Sequence, residues 1–136
     1  MDGSACGAPL SGGRYRRSVL EVAILASLAT SDSHGYDLMD RIRVLAGDQV
    51  CVDPGSVYRL LRGMEVQGFV DSAWQTAESG PSRRVYTIAA AGIDALEQMA
   101  GSLTRRAAAL QSLAEHAGEA AAKSRKTGVH ALEQKS

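Results

Sequence analysis

Apolar residues recur at helical spacing in two stretches near the start of the chain. Residues 16–29 are apolar on nearly every side, Leu20 and Ile24 included, so they predict a helix at the centre of the core. Turn-forming residues at 30–33 end this helix. Residues 34–44 then carry one apolar face and predict a second, amphipathic helix.

A third helix is indicated by its end signals as well as by its apolar spacing. Asp53 is a good N-cap acceptor, and Pro54 suits the first helical turn. We therefore place this helix at about residues 55–67, with Gly68 as its stop. Gly63 inside the helix costs about 1 kcal/mol relative to alanine. Either a close contact requires this glycine or the helix is weak at that point.

Two strands and a long helix follow. Residues 69–76 and 83–88 predict strands, and the Gly-Pro loop between them predicts a β-hairpin. Helical spacing returns at Ala90, and its apolar residues repeat at intervals of three and four as in a coiled coil, which predicts a dimerisation helix. We expect this helix to dock on the first helix of a second copy. The predicted dimer contacts are Leu20, Ile24, Leu96, Met99, Leu103, Leu110 and Leu113.

Three helices followed by a hairpin and a long helix are typical of a winged helix-turn-helix domain with an added C-terminal helix. The expected fold is therefore mainly α with a small β-hairpin. The expected domain organisation is a flexible tail at 1–13, a winged helix-turn-helix domain at 14–90, a dimerisation helix at 91–122 and a disordered tail at 123–136.

Composition and charge change this picture only slightly. The 136 residues carry a formal net charge of zero, which is unusual for a nucleic-acid-binding protein. The basic residues are mostly arginine and cluster locally, however, and phosphate contacts depend on local charge. No apolar run is long enough to span a membrane, and no signal-peptide pattern is present. We therefore expect a cytoplasmic protein without a membrane partner.

Candidate redox or metal chemistry is limited to two cysteines, Cys6 and Cys51. So low a count fits a reducing compartment better than a secreted disulfide scaffold. We interpret Cys51 as a small apolar filler, and the alternative is a redox switch placed just before the third helix. Since no CxxC pair, nearby histidine or catalytic motif is present, we expect no metal, no cofactor and no enzymatic activity.

Four short motifs occur in order along the chain. They read HGYDL at 34–38, GSVYRLL at 55–61, MEVQGFV at 64–70 and GPSRRVYTI at 80–88. Together they resemble the PadR-like transcriptional regulators, in the subfamily with a single C-terminal helix. Ser56 stands where the family often has threonine, and Gly63 and Met64 replace more usual polar and leucine residues.

The resemblance implies a homodimeric repressor that binds a palindromic site on double-stranded DNA and is released by a small-molecule or stress signal. The third helix is expected to enter the major groove, and the hairpin to reach the DNA backbone or minor groove. Since strand residues alternate sides, only one of the two hairpin arginines is expected to point at DNA. The expected DNA-binding residues are His34, Gly35, Tyr36, Ser56, Tyr58, Arg59, Arg62, Ser82, Arg83 and Arg84.

Some of these residues also have structural interpretations. His34 suits local capping or structural packing, and Tyr58 could pack against the second helix. Without the resemblance, Arg59 and Arg62 would be interpreted as a solvated helix face. The hairpin arginines could pair with Asp71 or Glu78. We favour core packing for Trp74, and the alternative is an aromatic wall for a small apolar or aromatic effector. The competing function is a winged helix that binds a protein instead of DNA, which the zero net charge favours slightly.

Overall fold

The computed structural model describes residues 13–30, 35–47, 50–76 and 80–127, and within them it contains four α-helices and two strands. In chain order these are α1 (Gly13–Thr30), α2 (Gly35–Ala46), α3 (Pro54–Gln67), β1 (Val70–Gln75), β2 (Arg83–Ile88) and α4 (Ala90–Thr127). This order confirms the predicted, mainly helical fold with a small hairpin. The predictions for residues 1–12, for His34 and for residues 128–136 lie outside the described residues.

Helix α1 supplies the centre of the core, because apolar side chains cover most of its surface. Leu20, Ile24 and Leu25 are 1%, 0% and 0% exposed. The buried hydroxyl of Ser27 donates to the carbonyl oxygen of Ala23 at 2.7 Å, which satisfies it within the helix. The expectation that Leu20 and Ile24 contact a second copy is wrong, because the core of their own chain already covers both side chains.

Helices α2 and α3 both contact α1 and complete this core. Ile42 of α2 and Leu61 of α3 are fully buried. Helix α3 ends at Gly68, which has a φ of 85° and donates its backbone N–H to the carbonyl oxygen of Glu65 at 3.1 Å. Glycine adopts this left-handed conformation without steric cost, so the predicted stop is confirmed.

One face of the hairpin is buried in the core near Val70 and exposed to solvent near Trp74. Strands β1 and β2 are antiparallel, with Ser72 opposite Tyr86 and Trp74 opposite Arg84. Because strand side chains alternate, these four residues share a face with Val70. Val70 is fully buried, whereas Trp74 is 65% exposed. The interpretation of Trp74 as a core residue is therefore wrong, because the core ends before this position.

The residues of helix α4 are divided between two compact units of the chain, with the division after Met99. Its residues up to Met99 belong to the unit formed by the rest of the fold. Leu96 and Met99, two of the predicted dimer contacts, pack half-buried against the core of their own chain. The start of α4 therefore belongs with the rest of the fold, in the unit that ends at Met99.

The part of α4 that begins at Ala100 is exposed along almost its whole length. Leu110 and Leu113 are 59% and 64% exposed, and Leu103 is half-buried. The helix continues to Thr127, so the predicted disorder is wrong for residues 123–127. The stretch just before them is rich in alanine, which has the highest helix propensity.

Candidate nucleic-acid interface

One face of α3 is exposed and carries two arginines. Arg59, Arg62, Gly63 and Val66 are exposed and lie three or four positions apart or adjacent, so they share this face. Tyr58 at its margin is 37% exposed, and Val66 is 88% exposed. Arg59 and Arg62 make no hydrogen bond or ion pair with any residue that the structure describes. The exposed face of α3 therefore presents two uncommitted guanidinium groups.

The N-terminus of α3 is held by its capping carboxylate and by an arginine from α1. Asp53 accepts a hydrogen bond from the amide of Ser56 at 3.0 Å and another from the Ser56 hydroxyl at 2.8 Å. Nη2 of Arg16 donates to Oδ1 of Asp53 at 2.8 Å, to Oγ of Ser56 at 3.3 Å and to the carbonyl oxygen of Cys51 at 3.2 Å. Because one guanidinium group holds three acceptors, it joins α1 to the first turn of α3.

Two predicted site residues lie within this cap. Ser56 is 9% exposed and its hydroxyl already bonds Asp53, so the structure gives it a capping position. Cys51 is disulfide-bonded, so it is more than the small apolar filler that the sequence predicts. Cys6, the other cysteine of the sequence, lies outside the described residues. The sequence does not reveal the role of Arg16, because its partner Asp53 lies 37 positions along the chain.

Acid is expected to weaken the cap of α3. The amide of Ser56 is the main reason that the pKa of Asp53 lies below its ordinary value of 3.8; the Ser56 hydroxyl and Arg16 act in the same direction, and burial opposes them. Since the pKa is lower in the folded state, ionised Asp53 stabilises the fold above pH 3.8, and this contribution is lost as the pH falls below that value. We therefore expect the Tm of Asp53→Asn to fall less than the Tm of the parent when the pH is lowered from neutral to acidic, and thermal unfolding at a series of pH values measures both. Parallel pH profiles for the two proteins would contradict this assignment.

Arg84 lies on the same face of the hairpin as Trp74. Its guanidinium group contacts three side chains, two from β1 and one from α3. Its guanidinium carbon lies 5.3 Å from the centroid of the Trp74 ring. Its Nε donates to the hydroxyl of Ser72 at 3.1 Å, and its Nη2 lies 3.6 Å from Oε1 of Glu65 in α3. The Ser72 hydroxyl in turn donates to Oε2 of Glu65 at 2.6 Å. This network ties the hairpin to α3.

Arg83 is on the opposite face of the hairpin from Arg84. It is exposed, pairs in register with Gln75, and makes no side-chain hydrogen bond or ion pair with a described residue. Ser82, next to it, is also exposed. Asp71, an expected acidic partner, bonds neither hairpin arginine, and Glu78 lies outside the described residues. Because strand side chains alternate, the side chain of Arg83 has no bonding partner among the described residues, whereas the side chain of Arg84 bonds residues of its own chain.

Two further predicted site residues, Gly35 and Tyr36, lie in the first turn of α2. A groove of about 550 Å³ separates α1 from α3 and is lined in part by Arg16, Arg17 and Arg59. Within ranges 13–30, 35–47, 50–76 and 80–127, no group of three or more His, Cys, Asp and Glu residues could hold a metal ion. None of the helices described there has the length and apolar character needed to cross a membrane.

Comparisons with known proteins agree with this arrangement. The model of the transcriptional regulator PadR-like family matches residues 24–98, which include α2, α3, the hairpin and the start of α4. No curated protein sequence matches the chain.

Several solved structures resemble the chain over most of its length. A transcriptional regulator of Thermoplasma acidophilum is 30% identical, with a TM-score of 0.64 over 74% of this chain and 94% of its own. A PadR-like transcriptional regulator of Bacillus cereus is 26% identical, with a TM-score of 0.62 over 74% and 96%. A PadR-like transcription factor of Bacteroides fragilis shares the fold at 19% identity, with a TM-score of 0.61 over 74% and 94%. The family match and the 30% identical structure lead to one conclusion: this chain belongs to the PadR-like family of transcriptional regulators.

Proposed function

We propose that the protein is a homodimeric repressor that binds double-stranded DNA through α3 and the hairpin. The observation that carries this proposal is the exposed face of α3, where Arg59 and Arg62 have no partner among the described residues. The planar guanidinium fork suits both guanine edges and phosphates, and an α-helix fits the major groove of B-DNA. Tyr58, at the margin of this face, is a candidate phosphate contact through its hydroxyl.

The hairpin and the start of α2 would add contacts to the DNA backbone. Ser82 and Arg83 are exposed at the start of β2 and are the proposed hairpin contacts, whereas Arg84 holds the hairpin on α3. Gly35 and Tyr36 lie in the first turn of α2, and helix N-termini attract phosphate groups. These contacts would set the position of α3 in the groove, since phosphate contacts fix register and orientation.

Self-association is proposed through the exposed part of α4. Leu103, Leu110 and Leu113 follow coiled-coil spacing, and the last two are mostly exposed in the single chain. An isolated helix is marginally stable in water, so pairing with a second copy would bury these leucines and stabilise the helix. Two copies of α3 would then face successive major grooves about 34 Å apart and bind a palindromic operator.

Release from DNA is proposed to follow a change in the separation of the two copies of α3, as a signal shifts the population of the dimer. Trp74 presents an exposed aromatic ring to which a small apolar or aromatic effector could bind. Cys51 is disulfide-bonded and its carbonyl oxygen is held by Arg16 at the cap of α3, so it is the candidate for a redox signal.

Fluorescence anisotropy of the purified protein tests the proposed function. The probe is a duplex that the protein selects from a random-sequence pool, compared with a scrambled duplex at two salt concentrations. We expect tight, sequence-selective binding that weakens steeply as salt rises, because each phosphate contact releases counterions. Sedimentation of the same sample should give a dimer. A protein that enriches no sequence from the pool would contradict the proposal and favour a winged helix that binds another protein.

The substitutions Arg83→Ala and Arg84→Ala are expected to have different effects on DNA binding and on stability. Arg83→Ala should lower the slope of log affinity against log salt by about one phosphate contact per protomer, with unchanged Tm. Arg84→Ala removes the group that pairs with Glu65 and stacks on Trp74, so it should lower the free energy of unfolding by about 1 kcal/mol. It should also weaken DNA binding with little change in salt slope. Identical salt slopes for both variants would contradict the division of roles.

A further inference from the structure

Gly63 lies in the middle of α3, although nothing in the described part of the chain requires a glycine there. Among the residues that the structure describes, the glycines with positive φ are Gly47, Gly68 and Gly80, so the backbone of Gly63 is one that any residue can adopt. A Cβ atom placed at Gly63 would meet no heavy atom within 4 Å. A close contact inside the described chain therefore does not explain this glycine.

The position of Gly63 points to a partner outside the chain. It lies on the exposed face of α3, directly after Arg62 and four positions after Arg59. At this point the helix surface is bare backbone, which a partner can approach more closely than any other helical residue would allow. Glycine lowers helix stability relative to alanine, and no contact within the described chain offsets that loss.

The charges around Gly63 favour a polyanion as this partner. Across the groove from α3, Arg17 is paired with Glu21 at 3.3 Å and Arg16 with Asp53 at 2.8 Å. The charges that remain uncommitted beside Gly63 are therefore those of Arg59 and Arg62, and both are positive.

We infer that Gly63 is the point at which the backbone of α3 approaches DNA, and that the missing side chain determines how deeply the helix enters the major groove. This inference rests on the DNA-binding function proposed above. A methyl group at this position would stand between the helix and the base edges or phosphates. Larger side chains would hold the two flanking arginines farther from the DNA.

The variants Gly63→Ala and Gly63→Leu test the inference, because both residues are better helix formers than glycine. We expect the two variants to unfold at a Tm a few degrees higher than the parent. Their affinity for the duplex selected by the parent protein should fall, by about tenfold for alanine and further for leucine, which is the cost expected of a lost base contact. Sedimentation should show the same dimer as the parent.

Gly118→Ala is the matched control. Gly118 is another exposed glycine inside a helix, α4, and its Cβ would likewise meet nothing within 4 Å. Gly118 follows Ala117, which lies seven positions after Leu110, so it is off the proposed leucine stripe. Its replacement should raise Tm and leave both self-association in sedimentation and DNA affinity as in the parent. Parental affinity in Gly63→Ala would overturn the inference and leave the DNA-binding function standing. Lost self-association in Gly63→Ala would assign the glycine to a contact between copies and would also overturn it. A parent protein that selects no sequence would refute the proposed function, and the inference with it.

Discussion

Replacement of Gly92 by alanine is expected to lower the free energy of unfolding by about 3 kcal/mol, at the upper end of the range for overpacked cores. Its Cβ would overlap the carbonyl oxygen of Phe69 and lie 2.8 Å from Cγ1 of Ile88. That carbonyl oxygen accepts a hydrogen bond from the amide of Ala89 at 2.9 Å, so it cannot move aside without losing this bond. Urea unfolding at fixed protein concentration measures the change.

Gly101→Ala is the control for this prediction, because Gly101 also lies within α4. The nearest atom to its Cβ would be Nη1 of Arg105 at 3.5 Å, the mobile end of a flexible side chain. This variant should therefore be as stable as the parent or more stable. If Gly92→Ala unfolded at the same urea concentration as the parent, the close approach of α4 to the end of α3 would be incorrect.

The double substitution Arg59→Ala/Arg62→Ala is expected to weaken operator binding by about a hundredfold or more. Loss of a bidentate guanine contact costs about 1–3 kcal/mol, and loss of a phosphate contact lowers the salt slope. Both side chains are exposed and bond no described residue, so the free energy of unfolding should change by less than about 0.5 kcal/mol. Anisotropy titrations and thermal unfolding of the same preparations separate the two effects.

A control of equal charge is Arg125→Ala/Lys126→Ala, which removes two positive charges from the last turn of α4. We expect this control to keep nearly the full affinity of the parent. An equal loss in both double variants would show that binding depends on overall charge, and it would exclude the exposed face of α3 as the interface.

The helix and strand limits that local signals define were predictable from the sequence. Asp53 and Pro54 mark the start of α3, and Gly68 marks its end, because an N-cap acceptor, a first-turn proline and a left-handed glycine each act within a few residues. The predicted second strand coincides with Arg83–Ile88 for the same reason: Val85 and Tyr86 at its centre favour a strand, and a Gly-Pro turn precedes it.

Features that depend on distant packing were not predictable. The alternation of strand side chains places Trp74 on the same face of the hairpin as Val70, but it does not tell at which residue the core ends along that face. The apolar surface of a helix such as α1 must be buried, but the sequence does not tell whether its own chain or a second copy buries it. The assignment of Leu20 and Ile24 to a dimer contact failed for this reason. The bond between Arg16 and the cap of α3 likewise joins residues that only the folded chain brings together.

The position of Trp74 also determines how this protein can be followed in solution. It is the single tryptophan of the sequence, it is 65% exposed, and it lies beneath the guanidinium group of Arg84. Intrinsic tryptophan emission therefore arises from the hairpin alone. A wavelength shift or quenching would report changes around that ring and would be insensitive to rearrangements confined to α1 and α2. The molecule thus carries a built-in optical reporter on the hairpin, and binding of a nucleic acid or an aromatic compound there can be measured without a label.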